Sequence, residues 1–127
     1  MLFRSRGRIK LCLCDWTGNG LPDLIIGTQR SAAVPPGPSG IPKHDINQAT
    51  VLLLENIGRP GEPAFAPPRY ILHRGKPIRL GVHSCAPSAV DWAGTTSSGS
   101  GSIEGVGLIV GAESGAILDL RREHLTW

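Results

Sequence analysis

Asp15-Trp16-Thr17-Gly18-Asn19-Gly20-Leu21-Pro22-Asp23-Leu24-Ile25-Ile26-Gly27 decides how the rest of this chain is read. Oxygen-bearing side chains fall at loop positions 1, 3, 5 and 9 (Asp15, Thr17, Asn19 and Asp23), and the Leu21 carbonyl is available at position 7. A hard cation such as Ca²⁺ takes about six to eight oxygens from a loop of this kind, and alternation turns every second side chain inward. Gly18 and Gly20 allow the positive φ angles that a tight wrap needs. No Glu stands at position 12, where Thr28 or Gln29 would have to serve. An EF-hand loop would also open into a helix, whereas this one runs straight into the apolar strand Asp23–Gly27. The stretch therefore reads as a calcium-type loop with a β-strand behind it, with Asp15, Thr17, Asn19, Leu21 and Asp23 as the ligand set.

A second passage repeats the order. LCLCDWTGNGLPDLIIGTQRS and SAVDWAGTTSSGSGSIEGVGLIVGAESG share strand, Asp-Trp, Gly-rich loop, apolar triplet and Gly. The spacing from Asp15 to Asp91 exceeds the roughly 40–50 residues of a common blade-type repeat. The excess is placed in the Pro-rich, aperiodic segment 30–49. Four short strands are expected in the first unit: Ile9–Cys14, Asp23–Gly27, Thr50–Asn56 and Phe65–Leu72. In the second, Ser88–Val90, Gly107–Gly111 and Ala116–Leu120 are visible and a fourth strand is not. The last residues, Arg121–Trp127, read as a cap. The division expected is a basic segment 1–8, a first unit 9–80 and a second, degenerate or incomplete unit 81–127.

Three stretches together resemble the FG-GAP/VCBS type of β-propeller repeat, whose usual form is D-x-D-G-D-G-x-x-D-L followed by two apolar residues and Gly. Asp15–Gly27 is similar to that loop and strand. Val51–Gly58 followed by Pro63–Pro68 resembles the strand, Asn-x-Gly turn and Phe-x-x-Pro strand. Val90-Asp91-Trp92 with Gly107–Gly111 looks like a damaged second copy. The resemblance implies an all-β fold made of two four-stranded antiparallel blades of a β-propeller. Propellers close with about 4–8 blades, so it also implies either the C-terminal part of a longer propeller or a ring completed by self-association. Two blades packed alone are the third option. It further implies calcium as the cofactor and an extracellular or cell-surface setting, although no signal peptide is legible in the chain. Thr17 and Asn19 stand where the pattern usually has Asp, so only two carboxylates remain and a weak site is expected. The alternative for this loop is a Gly-rich turn whose Asp and Asn side chains accept backbone amides.

Size and composition fit one ordinary domain: 127 residues, 40% hydrophobic and 18% charged, with 17 Gly and 11 Pro that favour turns over long helices. The net charge of +3, one Tyr and two Phe do not point to nucleic acid. No apolar run reaches the length of a membrane span. The three cysteines have no zinc or redox spacing and read as small buried hydrophobes. Trp16, Trp92 and Phe65 read as packing, and Trp127 is unaccounted for.

In an up-and-down blade, alternate connections emerge at opposite ends. The calcium-type loop and the Ile57–Ala64 turn are expected at one end. The segment 30–49, the His73–Ser84 connection and the Ala112–Ser114 turn are expected at the other. That second end collects Arg30, Lys43, His44, His73, Arg74, Lys76, Arg79 and His83 against the acids Asp45 and Glu113. A basic patch beside long loops suits an anionic ligand such as a uronate or sulfated glycan, and the ligand expected at this face is a carbohydrate or another protein. The competing reading is a solvated face with scattered charge. In the second Gly-rich loop Ala93 and Thr95 follow Asp91, and the Gly/Ser insertion 96–102 reads as a linker, so no metal is expected there. No paired-histidine motif or nucleophile elbow is present. The expectation is a non-catalytic binding or adhesion module; the alternative is part of a polysaccharide lyase or hydrolase acting on an anionic glycan.

Overall fold

A computed structural model describes residues 8–29, 48–81, 83–92, 94, 103 and 105–127. Its ordered elements are β1 (Lys10–Cys14), β2 (Asp23–Gly27), β3 (Val51–Leu54), β4 (Arg69–Tyr70), β5 (Leu72–His73), β6 (Lys76–Pro77), β7 (Cys85–Asp91), β8 (Val106–Ala112), β9 (Ile117–Leu120) and β10 (Leu125–Thr126). The fold is all-β: among the described residues the helical content is a 3-10 turn at Arg122–His124. No helix among them is long and apolar enough to cross a membrane.

β1 to β4 form a four-stranded antiparallel meander in chain order, and β7 to β9 form a three-stranded one. The resemblance implied two units of four strands; among the described residues the second has the three legible in the sequence. The chain leaves β9 and places β10 beside β5, making a third small sheet in the order β10-β5-β6. The expected strand Phe65–Leu72 is likewise divided. Phe65 bridges Asn56, Arg69–Tyr70 completes the first sheet, and Leu72 already belongs to the third. Prolines at 67 and 68 explain the break, since neither can donate to a ladder.

Strand alternation sorts the apolar residues. On one face of the first sheet Cys12, Cys14, Ile25, Val51 and Leu53 pack against Cys85, Ala89, Leu108, Val110, Leu118 and Leu120 of the other sheet, forming the main core. A second cluster, Ile26, Leu52, Leu54 and Tyr70, sits on the opposite face. β3 is buried at all four positions because both its faces are covered, which is why its sequence is continuously apolar rather than alternating. Each of Leu52 and Leu53 contributes about 1.5–3 kcal/mol by leaving water. On the outer face Leu11 pairs with Ile26 and Leu13 with Leu24, and both edge leucines are exposed.

The two large sheets approach each other closely at Gly27. A Cβ there would lie 2.2 Å from the Cys85 carbonyl oxygen and 2.5 Å from Pro87 Cδ, so only glycine permits the crossing. Just beyond it, Cys85 N–H donates to the Thr28 carbonyl and Gln29 bridges Ser84.

Candidate functional site

The Asp15–Asp23 loop is a hydrogen-bonded knot. Gly18 and Gly20 both hold positive φ, 80° and 84°, and their N–H groups donate to the two Asp15 carboxylate oxygens at 2.8 and 2.9 Å. Leu21 N–H donates to Asn19 Oδ1, in the manner of an Asx turn. Asp23 is fully buried. Its Oδ2 accepts the Thr17 N–H (2.8 Å) and the Thr17 hydroxyl (3.0 Å), and its Oδ1 accepts the Asn56 N–H (2.7 Å). A buried carboxylate needs such partners, because an unpaired charge in the core is prohibitive.

Asn56 is the hub that the sequence reading missed. Beyond its bond to Asp23, its amide donates to the Pro22 carbonyl and its own carbonyl accepts Asn19 Nδ2. Its Oδ1 takes the N–H groups of Gly58 and Ala64, closing the 57–64 turn. The calcium-type loop and that turn thus share one end of the first sheet, as expected. The Asn-x-Gly signal was visible at 56–58, but nothing local showed that its side chain also held another loop.

The calcium-type ligand set draws on the same oxygens. All five carboxylate and amide oxygens of Asp15, Asn19 and Asp23 already accept hydrogen atoms, and each carboxylate oxygen serves a different amide. A calcium site turns six to eight oxygens toward one ion at about 2.3–2.6 Å. As arranged, these oxygens build a hydrogen-bonded turn, in which each Asp15 oxygen and Asn19 Oδ1 accepts one amide and keeps a lone pair for a further partner. No group of three or more His, Cys, Asp or Glu side chains gathers among the described residues.

Arg122 reaches this loop from the far end of the chain. Its Nη2 donates to the Trp16 carbonyl at 2.7 Å and its Nη1 to the Val106 carbonyl at 3.3 Å. The guanidinium stacks on Trp16 (4.6 Å) and on Trp127 (4.8 Å), whose rings meet edge to face at 5.3 Å. Trp16 is fully buried and its Nε1 has no hydrogen-bond partner among the described residues, whereas Trp92 is partly exposed beneath Arg121 at 4.3 Å. Trp127 therefore belongs to the packing around the first loop.

At the opposite end, a cleft of about 570 Å³ opens between two connections. Arg79, Leu80, Gly81 and His83 line one side, and Ala112, Glu113, Ser114, Ala116 and Leu118 line the other. His83 Nδ1 lies 3.0 Å from Glu113 Oε2, an ion pair when the imidazole is protonated. Leu80 and Gly81 are anchored by hydrogen bonds to Ala49, so the cleft sits where segment 30–49 rejoins the sheet.

The eight basic residues expected to gather are divided. Arg79 and His83 meet in the cleft. Arg30, Lys43 and His44 lie outside the described residues. His73, Arg74 and Lys76 belong to the β5–β6 hairpin, whose two-residue turn has positive φ at Arg74 (51°) and Gly75 (77°). Arg74 N–H donates to the His124 carbonyl, and the His73 ring meets His124 edge to face, so this hairpin is tied to the C-terminal segment. Burial first, then the Arg74 and His124 charges, lower the His73 imidazole from its usual value.

Compared with known proteins, the chain matches no family model, no curated protein and no solved structure.

Proposed function

We propose that this chain is a non-catalytic binding module that takes an anionic ligand, best an acidic saccharide, in the Arg79–His83 cleft. The observation that carries the reading is a cleft lined by Arg79, His83, Glu113 and Ser114 together with the apolar Leu80, Ala112 and Leu118. A few polar groups around an apolar depression are what orient a small ligand. A uronate suits it: the carboxylate faces the Arg79 guanidinium, hydroxyls face Ser114 and Glu113, and the sugar's C–H face meets the apolar lining. The all-β architecture supports the same reading, because loops displayed at the end of a packed sheet pair carry recognition on a rigid base. In this proposal the two large sheets are propeller-like blades, one of four strands and one of three. They stand within a longer propeller or a ring closed by other copies.

The test is a ¹⁵N–¹H NMR titration of the intact chain with oligomers of a hexuronic acid, with neutral hexose oligomers as the control. Saturable shifts at Gly81, Glu113 and Ser114 with the acidic series, abolished by Arg79→Ala, are expected, with no product formed. Equal shifts with both series, or shifts that survive Arg79→Ala, refute it. Turnover of the acidic oligomer would move the reading to a lyase or hydrolase.

A further inference from the structure

Two acidic side chains, Asp15 and Asp23, stand in the first loop, yet the oxygens of both are engaged by backbone amides and the Thr17 hydroxyl. A cationic group meets that loop where the Arg122 guanidinium donates to the Trp16 carbonyl, one residue from Asp15. It is held there by two tryptophan faces and by the Val106 carbonyl of β8. The segment carrying it is fixed in turn, since Leu125–Thr126 pairs with β5 and Leu125 is buried in the main core.

We propose that Arg122 is the resident counter-cation of the Asp15–Asp23 loop, so that the C-terminal segment 121–127, and not a dissolved metal ion, sets the loop's order. A cation bound at a loop of this kind would offset carboxylate charge and tie the loop's backbone carbonyls to its neighbours. The guanidinium brings one positive charge beside the loop, with planar N–H donors aimed at two carbonyls and aromatic faces that favour arginine over lysine. It also joins three parts in one contact: the first loop through Trp16, the second sheet through Val106, and the chain's last residue through Trp127. The consequence is a conformational strap. Undocking the terminal segment removes charge from the loop and a lid from Trp16 together.

The test uses the intact chain with amide hydrogen exchange read by NMR, in chelator and in millimolar Ca²⁺. In the wild type, the amides of Thr17, Gly18 and Gly20 are expected to be protected equally in both conditions. Arg122→Met keeps an apolar stem between the tryptophans and removes the charge. It should speed exchange of those three amides by about tenfold or more while leaving Leu52 and Leu53 of β3 unchanged. Arg122→Lys, which keeps the charge and loses the fork, should fall between. Three results overturn the proposal: strong Ca²⁺ protection of the wild-type loop, full protection retained in Arg122→Met, or equal acceleration in loop and β3. The last would make Arg122 a general support of the fold.

Discussion

Replacing Asp23 with alanine should cost about 3–5 kcal/mol, and should do so with every divalent ion chelated. The carboxylate is fully buried and holds three donors, the Thr17 N–H, the Thr17 hydroxyl and the Asn56 N–H. Hydrogen bonds to a charged acceptor contribute about 1.5–3 kcal/mol each, and a buried donor left without a partner costs about 1–3 kcal/mol. Asn56 is 2% exposed, so its stranded N–H carries nearly the whole penalty, about 2–3 kcal/mol. Thr17 is only half-buried and water can reach its donors, which leaves about 1–2 kcal/mol. Such a loss is a large share of the roughly 5–15 kcal/mol that holds a domain together. Asp23→Asn keeps one acceptor and turns an N–H₂ toward the other donors, so an intermediate loss is expected. Urea denaturation followed by circular dichroism, in chelator and in millimolar Ca²⁺, measures both. If Asp23→Ala matches the wild type in chelator and falls behind only with Ca²⁺, the carboxylate works as a metal ligand and the hydrogen-bond account is wrong.

Other consequences are open to similar measurement. Gly27→Ala drives a Cβ into the Cys85 carbonyl; separating the sheets should cost about 1–3 kcal/mol or more, seen as a lowered urea midpoint. Leu53→Ala, at a fully buried core position, should lose about 2–5 kcal/mol, whereas Leu13→Ala, 65% exposed on β1, should stay within about 0.5 kcal/mol of the wild type. Burial pushes the Cys14 thiol up to about 12 and the Cys85 thiol to about 11, from the usual 9.0. The folded chain holds these protons longer than the unfolded one. The stability they contribute is therefore whole below pH 9 and is lost as pH rises toward the folded values. Urea midpoints should fall above that point, and Cys85→Ala should flatten the decline; a flat profile in the wild type would remove these thiols as its cause.

Much of the fold was legible because its signals are local. Asp23–Gly27 appears as a strand with the same limits, since a Gly-kinked loop hands over to an apolar run of strand length. Val51–Leu54 and Val106–Ala112 fall within two residues of the expected spans for the same reason. The Asn-x-Gly signal marked a turn, and Asn56 does cap it. The division of strand 65–72 between two sheets was less legible, because Pro67 and Pro68 announce an interruption but not where the chain goes next. The candidate ligand site was half legible. Arg79, His83 and the Ala112–Ser114 turn were placed at one end by strand alternation alone. That His73 and Arg74 would instead be tied to His124 could not be anticipated from spacing.

What the sequence by itself determined is therefore the β class, the first loop and the strand period, all properties of residues within about a dozen positions of one another. Tertiary structure alone decided three things. Asp23 became a hydrogen-bond hub, β10 paired with β5 instead of extending the second sheet, and Arg122 came to rest between Trp16 and Trp127. Each joins residues tens to a hundred positions apart. The cost of closing such loops grows only slowly with their length, so the chain sequence exerts little preference among distant partners. The choice falls to burial, charge and hydrogen-bond satisfaction, which exist only once the sheets have packed.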